Sequence, residues 1–345
     1  MKVLFHIGIH KTGTSFLQQV LLPKLAKSNP DVEFLCPKHP FLTAYLHALW
    51  NEDYQTEFHD QHPMIIEWKK LCARGPRAIL LSAELLASRF LADKYQEHFE
   101  FLSAFLAYVD VKPDIALVFR EYRSYIESTY RHYLKRGVYV SLEELLYSQA
   151  ADSIPKGYRQ EARYYPEYSI KKLSFSGMAN LYKSAFSTAF HAFFYEDFRS
   201  DPLAFSKALF APLDLDLSAL DTIDFSENKN SSPKYSLRVL PVALFWRRYF
   251  FLASFPGRNP KYRPLGGPFK QWLYRWVSRL WPFWNMHSVL KNISRILPKG
   301  KEDLWSVLNS SQRAELSDQF QRDSQALADC LGRPLPTEYL NLPSK

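Results

Sequence analysis

The chain has 345 residues, enough for one large α/β domain with additions or for two domains, and at 47% hydrophobic it can fill a sizeable core. Its three cysteines, Cys36, Cys72 and Cys330, are scattered and odd in number, so no disulfide framework or cysteine metal site follows and a reducing cytoplasm is the expected setting. The net charge of +9 is concentrated: from Asn228 to Gly300 there is no Asp or Glu, which favours anionic partners, whether acidic glycan, phospholipid headgroup or nucleic acid.

At the N-terminus a short apolar run broken by His6 lacks the apolar length of a signal peptide, and no uncharged stretch is apolar enough to cross a bilayer. Val3 to Ile9 instead predicts a buried first strand, and Thr14 to Leu25 a helix. Between them lies a tight turn, Gly8-Ile-His-Lys-Thr-Gly-Thr-Ser15. An anion in such a turn meets unsatisfied backbone amides, the positive end of a helix dipole, the hydroxyls of Thr14 and Ser15 and the ammonium of Lys11. A Walker-type loop places Lys directly after its second glycine, whereas here Thr14 holds that position and the lysine lies two residues before Gly13. The alternative is a glycine turn that only joins strand to helix.

Next in order, Phe34-Leu-Cys-Pro predicts a short strand and Tyr45 to Trp50 a helical stretch. His39, His47, His59 and His62 fall in this region without metal-ligand spacing. Arg77-Ala-Ile-Leu-Leu-Ser-Ala-Glu predicts a strand buried on both faces, ending at Ser82. Glu84 then stands just beyond the carboxyl end of that strand, where open α/β sheets bind ligands, although a Glu there also suits the first turn of a helix. Ile115 to Phe119 predicts a third buried strand that Arg120 ends, with Ser128 two turns into the following helix. Arg120 and Ser128 can converge on one phosphate, through a bidentate guanidinium and a hydroxyl. An ordinary salt-bridge role for Arg120 is the alternative.

Taken together these motifs resemble the sulfotransferases that use 3′-phosphoadenosine 5′-phosphosulfate (PAPS). Lys11-Thr12-Gly13-Thr14-Ser15 is similar to their 5′-phosphosulfate loop. Ser82-Ala-Glu84 resembles the strand-end Ser-x-Glu of bacterial and glycan sulfotransferases, and Arg120 with Ser128 the 3′-phosphate motif. Tyr133-Leu-Lys-Arg-Gly137 and Ala192-Phe-Phe-Tyr-Glu-Asp-Phe-Arg-Ser-Asp-Pro202 also resemble recurring family segments, so the similarity covers about the first 240 residues. Two departures stand out. His10 replaces the usual Pro and is a rival base to Glu84, while Ser15 replaces a Thr and keeps the hydroxyl.

Farther along, Ser141-Leu-Glu-Glu looks like a helix capping box, and the resemblance implies a helix covering the site at Tyr158 to Tyr168. Ala192 to Tyr195 predicts a strand, and Asp201-Pro202 opens a helix to Phe210. The core is expected to span residues 1–230, with a basic, aromatic, mostly helical extension over 231–345. In that extension, apolar residues at 269, 272, 273, 276, 277 and 280 form one helical stripe, suited to packing on its own domain or to an anionic membrane surface.

The expected fold is thus α/β, with a central parallel sheet and a P-loop-like core. The function the resemblance implies is sulfuryl transfer from PAPS to a hydroxyl, or less favourably an amine, with Glu84 as base and Lys11, the loop amides, Thr14 and Ser15 stabilising the leaving phosphate. No metal is required. The favoured acceptor is a carbohydrate or glycolipid. A nucleotide kinase and a nucleic-acid-binding protein are the rivals, nucleic acid being the least favoured partner.

Overall fold

The computed structural model describes residues 1–9, 11–50, 57–83, 86, 95–135, 141–147, 173–225, 239–242, 272, 292–293, 296 and 304–339. His10, Glu84, the covering segment 158–168 and, except for Trp272, the stripe 269–280 lie outside the described residues.

Five parallel strands form the sheet: β1 (Lys2–Gly8), β2 (Val32–Leu35), β3 (Ala78–Ser82), β4 (Asp114–Phe119) and β5 (Phe190–Phe194), in the spatial order β2-β3-β1-β4-β5. The three inner strands read as near-continuous apolar runs because both their faces are covered, and every residue of β3 is buried. In register, His6 of β1 stands opposite Ser82 of β3 and Ala116 of β4. The order fixes where a ligand can enter. After β1 the chain turns toward the β2 edge, whereas after β4 it turns toward the β5 edge, so the two connections part at the carboxyl ends of adjacent strands. That divergence is the switch point at which open α/β sheets form their binding crevice.

The helix after β1 is not one continuous α-helix. Thr14–Phe16 (α1) passes through a π turn, Leu17–Leu21, into Leu22–Ser28 (α2). Its buried Leu17, Leu21, Leu22 and Leu25 pack on Leu4, Leu80 and Val118 of the sheet, together with Phe205 and Leu209. Helices α3 (Pro40–Trp50), α4 (Pro63–Cys72) and α5 (Tyr95–Val109) assemble a separate aromatic cluster, in which Phe41 lies 5.4 Å from Trp68 and 5.3 Å from Phe105 between ring centres. After β4 come α6 (Tyr122–Lys135) and α7 (Leu142–Tyr147); α8 (Phe175–Phe186) precedes β5. Beyond β5 follow α9 (Tyr195–Ser200) and α10 (Pro202–Phe210), the latter capped by Asp201, whose carboxylate accepts from Ala204 N–H at 2.9 Å. Strand β5 starts and ends earlier than the sequence predicts, because Tyr195 already belongs to α9.

The chain divides into two compact units. One comprises Met1–Tyr125, Lys171–Asn230 and Ala314–Lys345 and holds the sheet; the other comprises Ile126–Ile170 and Ser231–Arg313. In the second unit, Asn309 and Gln312 form a reciprocal capping box at the start of α11 (Ser310–Leu331), with bonds of 3.0 and 2.9 Å, and Gln312 also donates to Glu143 at 2.8 Å. No described helix is long and apolar enough to cross a membrane.

Candidate active site

The turn between β1 and α1 is built by alternating backbone sign. Lys11 (φ 70°) and Gly13 (φ 85°) both lie in the left-handed region on either side of Thr12, an alternation that turns successive N–H groups toward one concavity. A glycine is required at 13 for that φ and for space, since an added Cβ would meet the Phe198 ring at 3.2 Å. Gly13 caps α1 by its carbonyl, accepting from Phe16 N–H at 2.9 Å. The Thr12 hydroxyl donates to Ile9 O at 2.6 Å and clasps the turn.

Thr14 differs from Thr12. It is fully buried, and its hydroxyl has no hydrogen-bond partner among the described residues. An added Cβ at Gly8 would fall 2.6 Å from Thr14 Oγ1 and 2.9 Å from Thr12 Oγ1, so the absence of a side chain at 8 lets both hydroxyls pack against the strand end. A buried hydroxyl without a partner is costly, and an anionic oxygen in the turn would satisfy it. Ser15 is half-buried beside it on the first turn of α1.

Arg120, at the carboxyl end of β4, reaches across to this turn. Its Nη1 donates to the Lys11 carbonyl at 2.6 Å, its Nε donates to Ser124 Oγ at 2.8 Å, and the guanidinium lies 4.5 Å above the Tyr195 ring. Burial pulls the guanidinium below its ordinary pKa, and the neighbouring Tyr195, Glu196 and Glu121 pull it back. Lys11, Thr12, Gly13, Thr14, Ser15 and Arg120 thus occupy adjacent strand ends at the switch point. Ser128 is half-buried on α6, in the part of that helix that belongs to the second unit. The hydroxyl that engages Arg120 directly is Ser124, one turn earlier.

Several residues that support this arrangement escape sequence reasoning. Buried His6 shares a hydrogen bond of 2.9 Å between Nδ1 and Ser82 Oγ, and Gln18, projecting from the π turn, donates to Ser82 O at 2.8 Å. These bonds tie the end of β3, two residues before Glu84, to β1 and the first helix. Glu121 caps α6, accepting from Arg123 N–H and Ser124 N–H at 2.7 Å each, while Glu196 accepts from Glu121 N–H at 3.1 Å. The available signal was the local Arg120-Glu121 and Tyr195-Glu196 pairing at two strand ends. Among the described residues no group of three or more His, Cys, Asp or Glu stands where it could hold a metal ion.

The sheet order and this turn define an open, parallel α/β protein with a tight glycine turn at the switch point. No protein-family model and no curated protein matches the chain. Among solved structures, a sulfotransferase from Alicyclobacillus acidocaldarius is similar over 98% of this chain and 98% of its own, with 15% identical residues and a TM-score of 0.48.

Proposed function

We propose that this protein is a sulfotransferase that takes its sulfuryl group from PAPS. The observation that carries the reading is the Arg120 bond to the Lys11 carbonyl, which couples an anion-binding turn on one strand to a fixed guanidinium on the next. A donor with a 5′-phosphosulfate and a 3′-phosphate on one nucleoside needs two such neighbouring subsites. The residues present fit that donor. The turn has two threonine hydroxyls packed over Gly8, that of Thr14 buried without a hydrogen-bond partner among the described residues, and left-handed backbone at Lys11 and Gly13 that presents its amides.

In this reading Lys11, Thr14, Ser15 and the turn amides hold the 5′ end, and Arg120 holds the 3′-phosphate. The bound donor supplies an electrophilic sulfur and a phosphate leaving group. Glu84 takes the acceptor's proton as its oxygen bonds to sulfur, and the Lys11 ammonium and the α1 N-terminus stabilise the charge that grows on the departing phosphate oxygen. His10 is the rival base. A glycan or glycolipid hydroxyl is the proposed acceptor, because the strand-end Ser82-Ala-Glu84 resembles that of glycan-modifying members. No metal enters this chemistry, since Lys11 neutralises the leaving group.

Calorimetry with adenosine 3′,5′-bisphosphate and with ATP tests the reading. The bisphosphate is expected to bind and ATP to bind far more weakly. The reverse preference would favour a kinase and sink the proposal.

A further inference from the structure

Two buried carboxylates, Glu121 and Glu196, act on the charge of the Arg120 guanidinium, opposed by the guanidinium of Arg199. Both oxygens of Glu121 are occupied by the N–H groups of Arg123 and Ser124. Glu196 is less completely satisfied. Its Oε1 accepts from Glu121 N–H, but its Oε2 is buried and has no hydrogen-bond partner among the described residues. The Tyr339 hydroxyl, also buried and without a hydrogen-bond partner among the described residues, lies within the influence of Glu196, Glu121, Asp197 and Arg120. Tyr195, the residue before Glu196, carries the ring beneath the Arg120 guanidinium.

From this arrangement we infer that Glu196 sets how long a nucleotide 3′-phosphate dwells on Arg120, by holding a partly uncompensated carboxylate beside that guanidinium. The inference rests on the donor site proposed above. Without ligand, Glu121 and Glu196 offset part of the Arg120 charge, and its bonds to Lys11 O and Ser124 Oγ keep the side chain in place. A phosphate arriving on Arg120 must share it with a carboxylate in a medium that screens poorly, and like charges brought together there repel strongly. The consequence is a 3′-phosphate subsite that recognises its ligand yet releases it. An enzyme that leaves a bisphosphate product on this subsite at every turnover needs that release.

Glu196→Gln tests the inference, because the amide keeps the shape and the oxygen that accepts from Glu121 N–H while removing the charge. Adenosine 3′,5′-bisphosphate is expected to bind the variant roughly tenfold more tightly, mainly through slower dissociation. Adenosine 5′-phosphosulfate, which lacks the 3′-phosphate, is expected to bind both proteins within about twofold of each other. Glu196→Asp, which keeps the charge, should show no tightening. Should Glu196→Gln not fold, Glu196→Met removes the same charge at similar length. Unchanged affinity for the bisphosphate, or equal weakening of both ligands, would make Glu196 a purely structural brace and overturn the inference. A wild-type protein that binds neither ligand would instead overturn the donor reading, and this inference with it.

Discussion

The guanidinium of Arg120 donates to the main-chain carbonyl of Lys11 at 2.6 Å, across 109 positions of sequence. Strand ends that could move independently are thereby joined. In the proposed donor site an arginine in this position would have two tasks, to charge one subsite and to hold the backbone of the other.

That double task shapes the effect of removing it. Arg120→Ala should weaken adenosine 3′,5′-bisphosphate by about 10- to 150-fold, the worth of a charge-assisted bond to a partly buried phosphate. It should also weaken adenosine 5′-phosphosulfate, by a smaller factor of roughly three to ten, because the Lys11 carbonyl loses its donor. Calorimetry on both ligands separates the tasks. Equal losses would show that Arg120 acts only by shaping the turn.

Gly8 offers a test that touches no charge. In Gly8→Ala the new methyl would lie 2.6 Å from Thr14 Oγ1, at a site already closed by Thr12, so both hydroxyls must move. Overpacking of this kind costs about 1–3 kcal/mol. Denaturant unfolding should show that loss, and bisphosphate affinity should fall beyond what the stability change explains. An unaltered affinity would mean that the placement of the two hydroxyls over Gly8 has no part in binding.

Much of this site is legible in the sequence, and the reasons differ by residue. The apolar runs of β1, β3 and β4 announce themselves because burial on both faces forbids polar alternation, and Gly13 is marked by the turn it must make. The strand boundary at Ser82 is likewise visible. What remains hidden depends on pairing between strands. Nothing local tells that His6 faces Ser82 or that Gln18 bends toward it, since the first follows from register and the second from a π turn inside a helix of ordinary composition. The hydroxyl that Arg120 engages is that of Ser124, four residues on, in the first turn of α6.

The acid-free stretch from Asn228 to Gly300 carries five of the eight tryptophans, a combination suited to an interface with anionic lipid. Trp272 is exposed. The protein is expected to pellet with vesicles containing phosphatidylserine but not with phosphatidylcholine alone, and added salt should release it. Absence of pelleting at low salt, or tighter salt-dependent retention by DNA than by the vesicles, would refute the membrane assignment.

The final prediction concerns Asp323, which ties the closing helix to the start of α8. Its carboxylate accepts from Phe175 N–H at 2.8 Å, from Ser176 N–H at 3.1 Å and from the hydroxyls of Ser174, Ser176 and Tyr122, whose ring stacks between Phe175 and Phe320. Burial pushes this carboxyl up to about 6 from an ordinary 3.8, against the pull of the two backbone N–H groups. Between these values the folded protein holds a proton that the unfolded chain has released. The group's contribution is therefore fully present below about pH 4 and lost as pH rises to about 6, for a total of about 3 kcal/mol. Asp323→Asn cannot titrate, so the stability difference between wild type and variant isolates the effect. Chemical unfolding at pH 4.5 and pH 7 should show wild type losing ground to the variant as pH rises. The opposite slope would mean that the five donors outweigh burial and hold the carboxyl below its ordinary range. In that case Asp323 would be an anionic cap on α8, stabilising at neutral pH and lost on acidification.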